Sequence, residues 1–278
     1  MKGKTESQIK LDHPDILKFL FHPRKETESP APPNCENHTI PVGDGVMIGG
    51  RFHLAEKEAP TILFFHGNGE IVSDYDALGP FYTERGMSFL AVDYRGYGWS
   101  TGEPTASAMF RDAHAIFEYV KKWLAKEGRT GKLVVMGRSL GSACAIELAS
   151  TEAPTIDGLI VESGFASTVP LLECLGVDVD TLGITEEECF NNQKKIAKVF
   201  KPTFILHAQY DQFIPVNDAA SLQSECLARS KEFQTVPGAD HNTIIERAGK
   251  LYFDVIRGFV NKIGMPERRR RRGVKGSL

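Results

Sequence analysis

The sequence predicts an α/β protein, a doubly wound and mostly parallel sheet flanked by helices, and three observations carry that prediction. Short apolar runs recur at Thr61–Phe65, Met87–Val92, Lys132–Met136, Asp157–Val161 and Thr203–Leu206. Apolar without alternation, they read as strands buried on both faces. Between them lie helical patterns. In the clearest, Met109, Phe110, Ala113, Ile116, Phe117, Val120, Trp123 and Leu124 recur at helical spacing, and Gly128 suits the C-terminal cap. Finally, the run beginning at Lys132 passes through Gly137-Arg138-Ser139-Leu140-Gly141 into the helix-forming stretch Ser142–Ala149. Strands alternating with helices imply parallel pairing with a helix on each crossover.

In chain order, residues 1–37 read as an N-terminal extension. Asp15–Phe21 has amphipathic character, and Ser29-Pro-Ala-Pro-Pro-Asn34 is unfit for regular helix or central strand, since proline lacks the donor and fixes φ. A strap packed on the body is preferred to a membrane-surface anchor. The main domain spans 38–264. Val46–Leu54 follows the Gly43-Asp44-Gly45 turn and pairs with the strand before it. Residues 163–200 carry no strand pattern but have an apolar side and the acidic run Glu186-Glu187-Glu188, so they predict a small helical cap insertion. Glu232–Val236 is strand-like, and a last helix runs through Ile244, Ile245, Ala248, Leu251, Tyr252, Val255, Ile256, Phe259 and Val260. Residues 265–278 form a basic tail.

A hydrophobic content of 41% against 25% charged is that of a globular protein with a substantial core. The net charge of −3 gives no global reason for a nucleic-acid partner. No apolar stretch is long enough to span a bilayer, and the N-terminus lacks a signal-peptide core. The five cysteines are scattered without C-x-x-C spacing, against both a disulfide framework and a zinc site. A cytosolic location follows as the default, and Cys144 reads as a small core residue. Arg268, Arg269, Arg270, Arg271 and Arg272 form an unbroken basic run. A solvated tail is preferred there, with contact to an anionic surface at a membrane periphery as the alternative.

Strand, sharp turn and helix around G-x-S-x-G is the context of a nucleophile elbow, which raises a serine hydroxyl beside the free N–H groups of a helix. Such a serine needs a base within hydrogen-bond reach and an acid to orient the base. Asp211 follows the strand Thr203–Ala208, and His241 follows Glu232–Val236 and the turn Pro237–Asp240. Both therefore leave strand C-terminal ends, where open α/β sheets carry their sites. Asp240 and Glu162 remain alternative acids; Asp240 fits better as a cap through Asn242 and Thr243. His66 and His207 read as structural, His114 as an outward-facing, inert residue. The Leu140 N–H supplies one oxyanion donor, and Asn68 in the loop His66-Gly67-Asn68-Gly69-Glu70 supplies the second. Trp99, Arg138, Phe165 and Leu172 are candidates for the substrate pocket, although Arg138 also suits a structural role under the turn.

Phe65-His-Gly-Asn-Gly69, Val92-Asp-Tyr-Arg-Gly-Tyr-Gly-Trp-Ser-Thr-Gly102, Gly137–Gly141, Asp211 and Pro237-Gly-Ala-Asp-His241 together resemble the α/β-hydrolase superfamily. The resemblance covers residues 38–263 and is nearest to the compact group that includes acyl-protein thioesterases. It implies a central sheet of about eight strands, a Ser139–His241–Asp211 triad, and acyl-enzyme hydrolysis without metal or cofactor. The depalmitoylating members carry a cysteine-rich N-terminal anchor, whereas this chain has only Cys35 there. The expected activity is that of a serine hydrolase cleaving esters or thioesters with an apolar acyl part. A peptidase or amidase of the same fold, and a non-catalytic pseudo-hydrolase, are the alternatives.

Overall fold

A computed structural model describes residues 10–265. An antiparallel hairpin opens the sheet, β1 (Cys35–Gly43) with β2 (Val46–His53), so the sheet begins before residue 38. There follow β3 (Thr61–Phe65), β4 (Ser88–Val92), β5 (Leu133–Arg138), β6 (Gly158–Glu162), β7 (Thr203–Ala208) and β8 (Lys231–Val236). The eight strands lie in the order β1-β2-β4-β3-β5-β6-β7-β8. β2 joins β4 antiparallel, and every pairing from β4 to β8 is parallel. Every residue of β3 to β7 is buried, which explains the apolar runs at their centres. Chain order reverses around β3, which pairs with β4 on one side and β5 on the other. The C-terminal ends of β3 and β5 thus flank a topological switch point, the usual place for a site.

Helices cover both faces: α1 (Pro14–Leu20), α2 (Gly79–Thr83), α3 (Ala106–Lys126), α4 (Ser142–Thr151), α5 (Thr168–Cys174), α6 (Asn192–Ile196), α7 (Val216–Glu225), α8 (Ile244–Ala248) and α9 (Lys250–Lys262). Thr105 caps α3, its hydroxyl accepting the Ala108 N–H at 3.1 Å. The buried stripe of α3 packs with Leu63, Leu90 and Val135 on one face of the sheet. Ile62, Phe64 and Met136 pack with Tyr252, Phe253, Ile256 and Phe259 on the other. Cys144 is buried in the first of these cores.

The continuous last helix expected from Ile244 to Val260 is instead two helices. Gly249 separates α8 from α9 with φ 54° and ψ −137°, a conformation that side chains with a Cβ rarely adopt. Leu251, placed on the apolar stripe by helical spacing, consequently ends 58% exposed.

From Lys10 onward the N-terminal extension is laid on the domain as a strap. Leu11, Ile16, Leu20 and Phe21 are buried in the core that covers the α3 face. Beyond α1 the chain runs extended and hydrogen-bonds Gly98, which donates to the Arg24 carbonyl at 2.8 Å and accepts from Glu26 N–H at 3.0 Å. The 163–200 segment contains α5, a 3-10 turn at Glu186–Glu188, and α6. The Glu186 carboxylate accepts the first N–H groups of α5, from Thr168 at 2.8 Å and Val169 at 3.0 Å. Negative charge at a helix N-terminus is stabilising, so Glu186 of the acidic run ties the 3-10 turn to the start of α5. The Arg268–Arg272 run lies outside the described residues.

His114 is not inert. It lies 3.3 Å from both Glu147 and Glu152, and the hydrogen bond to Glu147 raises its pKa against the opposing effect of burial. Burial would push Glu147 up, yet His114 and Lys195 hold it down at about 2. A raised histidine means that the folded chain binds the proton more tightly than the unfolded one. Its stabilisation is therefore complete below about pH 6.5 and is lost as pH rises through the raised value. His114→Gln is expected to cost about 0.5 kcal/mol in acid, since the pair is partly solvated, and nothing in alkali. Thermal melts of both proteins across that range check this; a gap that widens with pH contradicts it.

Candidate active site

β5 ends at Arg138, and Ser139 follows with φ 51°, before a 3-10 turn at Ser139–Gly141 leads into α4. Close approach demands the flanking glycines. A Cβ on Gly137 would sit 2.2 Å from the Gly141 carbonyl oxygen, and one on Gly141 would sit 2.1 Å from that of Phe65. The turn thereby presses the elbow against the end of β3.

His241 reaches this turn from beyond β8. Its Nε2 lies 2.9 Å from Ser139 Oγ, and its Nδ1 lies 2.7 Å from Asp211 Oδ2. The other Asp211 oxygen accepts the N–H groups of Phe213 at 3.1 Å and Ile214 at 2.9 Å. Burial would raise the Asp211 carboxyl, but the hydrogen bond and charge of His241, with the Ile214 N–H, hold it below the usual range. An ionised Asp211 favours the tautomer with hydrogen on Nδ1, which leaves Nε2 free to accept from the serine hydroxyl.

The competing acids have other partners. Asp240 accepts the Asn242 N–H at 3.0 Å and the Thr243 hydroxyl at 2.9 Å, as a cap should. Glu162 accepts from the Tyr252 hydroxyl and lies 3.3 Å from Arg138 Nε. Burial pushes Glu162 up, with Arg138 opposing. His66 is held between Asp93 at 3.1 Å and the Gly67 carbonyl at 2.8 Å, and His207 meets the Ile214 carbonyl at 2.8 Å.

Arg138 connects these pieces. One end of its guanidinium pairs with Glu70 and the other donates to the His241 carbonyl at 2.8 Å and to Asn242 Oδ1 at 3.2 Å. Glu70 in turn accepts the Gly67 N–H at 2.7 Å and the Tyr75 hydroxyl at 2.6 Å. Burial would raise Glu70 as well, but Arg138 and Tyr75 hold it below the ordinary carboxylate value. A single buried cation thus joins the serine turn, the loop after β3 and the histidine loop. Both Nη atoms are thus engaged by groups of the three loops, Glu70, the His241 carbonyl and Asn242, and the same side chain also lines the cavity beside Ser139.

A cavity of about 330 Å³ opens on Ser139 and His241. Leu20, Leu171, Leu175, Phe213 and Ile214 form its apolar side; His22, Asn68, Arg138, Leu140 and Asn242 complete it. Leu140 lies in the 3-10 turn that Ser139 begins, at a helix start where N–H groups have no preceding carbonyl partner.

Three expected pocket residues lie elsewhere. Trp99 packs on Gly49, where a Cβ would come within 2.7 Å of its indole, and lines a separate shallow groove with Lys25 and Gly98. Phe165 faces Phe190 in the core, with ring centroids 5.7 Å apart. Leu172 is fully buried on the inner side of α5. Leu171 and Leu175 take its place, being four residues apart and so on one face of the helix. Leu20 and His22 gave no signal, because nothing local says where a strap lies. Among the described residues no group of three or more His, Cys, Asp or Glu side chains is arranged to hold a metal ion.

The pattern of a family described as serine aminopeptidase, S33, matches residues 56–175. Protein bem46 of Schizosaccharomyces pombe is 31% identical over 217 residues, covering 76% of this chain and 71% of that protein. An α/β-hydrolase domain-containing protein of Caenorhabditis elegans, aho-3, is 31% identical over 210 residues, covering 72% of this chain and 57% of its own length. Among solved structures, the esterase Pf2001 of Pyrococcus furiosus superposes with a TM-score of 0.70 at 16% identity, covering 87% of this chain and 98% of that one. Est1E of Butyrivibrio proteoclasticus with bound ferulic acid gives 0.67 at 17% identity, covering 81% and 98%. These structural likenesses speak for the fold.

Proposed function

The chain belongs to the α/β-hydrolase superfamily, and on that premise we propose that it is a serine hydrolase of carboxylic esters or thioesters with an apolar acyl part. The observation that carries this reading is the hydrogen-bonded series Ser139–His241–Asp211 opening onto a largely apolar cavity. In the first step Ser139 Oγ bonds to the carbonyl carbon while its proton passes to His241 Nε2. The carbonyl π electrons move onto oxygen, where the N–H groups of Leu140 and Asn68 meet the developing charge. The oxyanion then re-forms the carbonyl, the bond to the alcohol or thiol breaks, and the leaving group takes the proton from His241. Water, deprotonated by His241, attacks the acyl-Ser139 ester and releases the acid by the same sequence reversed.

Amide hydrolysis is the reading suggested by the name of the matching family. An aminopeptidase must bind an α-ammonium group beside the scissile bond. The described lining of the cavity contains no carboxylate, which supports the ester reading. Rates on p-nitrophenyl esters of increasing acyl length, beside aminoacyl-amides, test the choice. Esters are expected to be faster, with kcat/KM rising with chain length until the cavity is full. Leu175→Trp should then lower kcat/KM for the longest good substrate roughly ten- to hundredfold and leave the acetyl ester nearly unchanged. Faster amide turnover, or fluorophosphonate labelling that persists in Ser139→Ala, overturns the proposal.

A further inference from the structure

We infer that the N-terminal strap, residues 20–26, is a working part of the site: it fixes the oxyanion loop from outside the sheet. This rests on the serine-hydrolase reading above. The loop Gly67–Glu70 has two ends to secure. Glu70 is held from within by Arg138 and Tyr75. Asn68 and Gly69 are held by the strap. The His22 N–H donates to Asn68 Oδ1 at 2.8 Å and lies 2.9 Å from the Tyr97 oxygen, and the Tyr97 hydroxyl donates to the same Asn68 oxygen at 2.7 Å. Arg24 Nη1 donates to the Gly69 carbonyl at 3.1 Å and pairs with Asp74 at 2.6 Å.

These contacts hold the residue that carries the Asn68 N–H, the group assigned to the oxyanion, by its side chain, and hold the next-but-one peptide unit, Gly69–Glu70, by the Gly69 carbonyl. Asn68 is thus fixed directly, and the chain leaving it is fixed one residue on. A loop containing two glycines has little stiffness of its own, so its geometry depends on such external partners. The strap is itself secured. Leu20 and Phe21 are buried upstream, and the hydrogen bonds with Gly98 hold it downstream. Leu20 and His22 also line the cavity, so the same segment forms part of the acyl wall. His22, Arg24 and Tyr97 are positioning residues: they touch the loop, not the reacting atoms.

The test is the double substitution Arg24→Ala with Tyr97→Phe, which strips the loop of two partners while retaining the aromatic ring. Loss of loop geometry is expected to lower kcat about ten- to hundredfold. KM should stay nearly constant, and affinity for an alkyl boronic acid, which mimics the tetrahedral intermediate, should fall by the same factor as kcat. The acid side of the pH profile should not move, because the histidine is untouched. Arg24→Lys should recover part of the loss, and Thr27→Ala, further along the strap, should change nothing. Hydrogen exchange at the amides of residues 68–70 gives a readout independent of turnover and should accelerate in the double variant. Unchanged exchange there overturns the inference, as does a lower melting temperature with unchanged kcat and boronate affinity. A wild-type chain that hydrolyses no ester would overturn the serine-hydrolase reading instead, with exchange still reporting whether the strap holds the loop.

Discussion

Ser139→Ala is expected to lower ester turnover by roughly 10⁴- to 10⁶-fold, because removal of the nucleophile leaves only binding and oxyanion stabilisation. The fold should survive, since among the described residues the hydroxyl's hydrogen bond is to His241 alone. Ser139→Gly separates chemistry from strain. Ser139 sits at φ 51°, where a residue with a Cβ costs on the order of 1–3 kcal/mol. Glycine relieves that cost but adds about 0.5–1 kcal/mol of unfolded-state entropy. The glycine variant should therefore be inactive and melt at or above the wild-type temperature. Urea unfolding of all three proteins, with ester rates alongside, checks both statements. A glycine variant clearly less stable than the alanine one would show that the turn stores no strain.

Arg138→Met should be the most destabilising single exchange near the site. It keeps a long side chain but removes the buried cation facing Glu70 and Glu162. Breaking a buried pair from one side typically costs about 3–5 kcal/mol, most of it from the charge left behind. The pH dependence follows from the directions of the shifts. Glu70 is held low in the folded wild type, so its contribution is present above its ordinary value of 4.5 and fades as pH falls. Without Arg138 both carboxyl groups rise, and protonation then relieves the unpaired charge. The stability gap between wild type and variant should thus be widest at neutral pH and narrow in acid. Denaturant melts across that range decide it; a gap independent of pH would mean that lost packing, not charge, dominates. Turnover should fall too, because Arg138 holds the His241 carbonyl and, through Glu70, the Gly67 N–H.

Much of this was legible in the chain because its signals are local. The elbow announces itself through Gly137 and Gly141, whose hydrogens alone fit against the neighbouring carbonyls. Asp211 and His241 stand out by their place after strands, and the structure brings His241 to Ser139 and Asp211 to His241. The pocket was read less well. Leu172 was chosen over Leu171 and Leu175, and the error is one of helix phase: a short helix in an irregular segment has no neighbouring periodicity to fix which face turns inward. Trp99 sits in a loop close in sequence to the site's framework, yet its indole is occupied by Gly49 and Arg51. The break at Gly249 was missed because the apolar spacing continues through it and glycine alone does not end a helix.

By itself, then, the sequence determined the alternation of strands and helices, the parallel sheet and the order of serine, acid and histidine. Those follow from patterns within a few residues of each other. The tertiary structure decided which side chains share the cavity and what holds the loop after β3. Arg138 meets Glu70 and Asn242, and His22 meets Asn68, across sequence separations of 68, 104 and 46 residues. No periodicity reports such contacts, because they are set by how the packed sheet brings its loops to one edge.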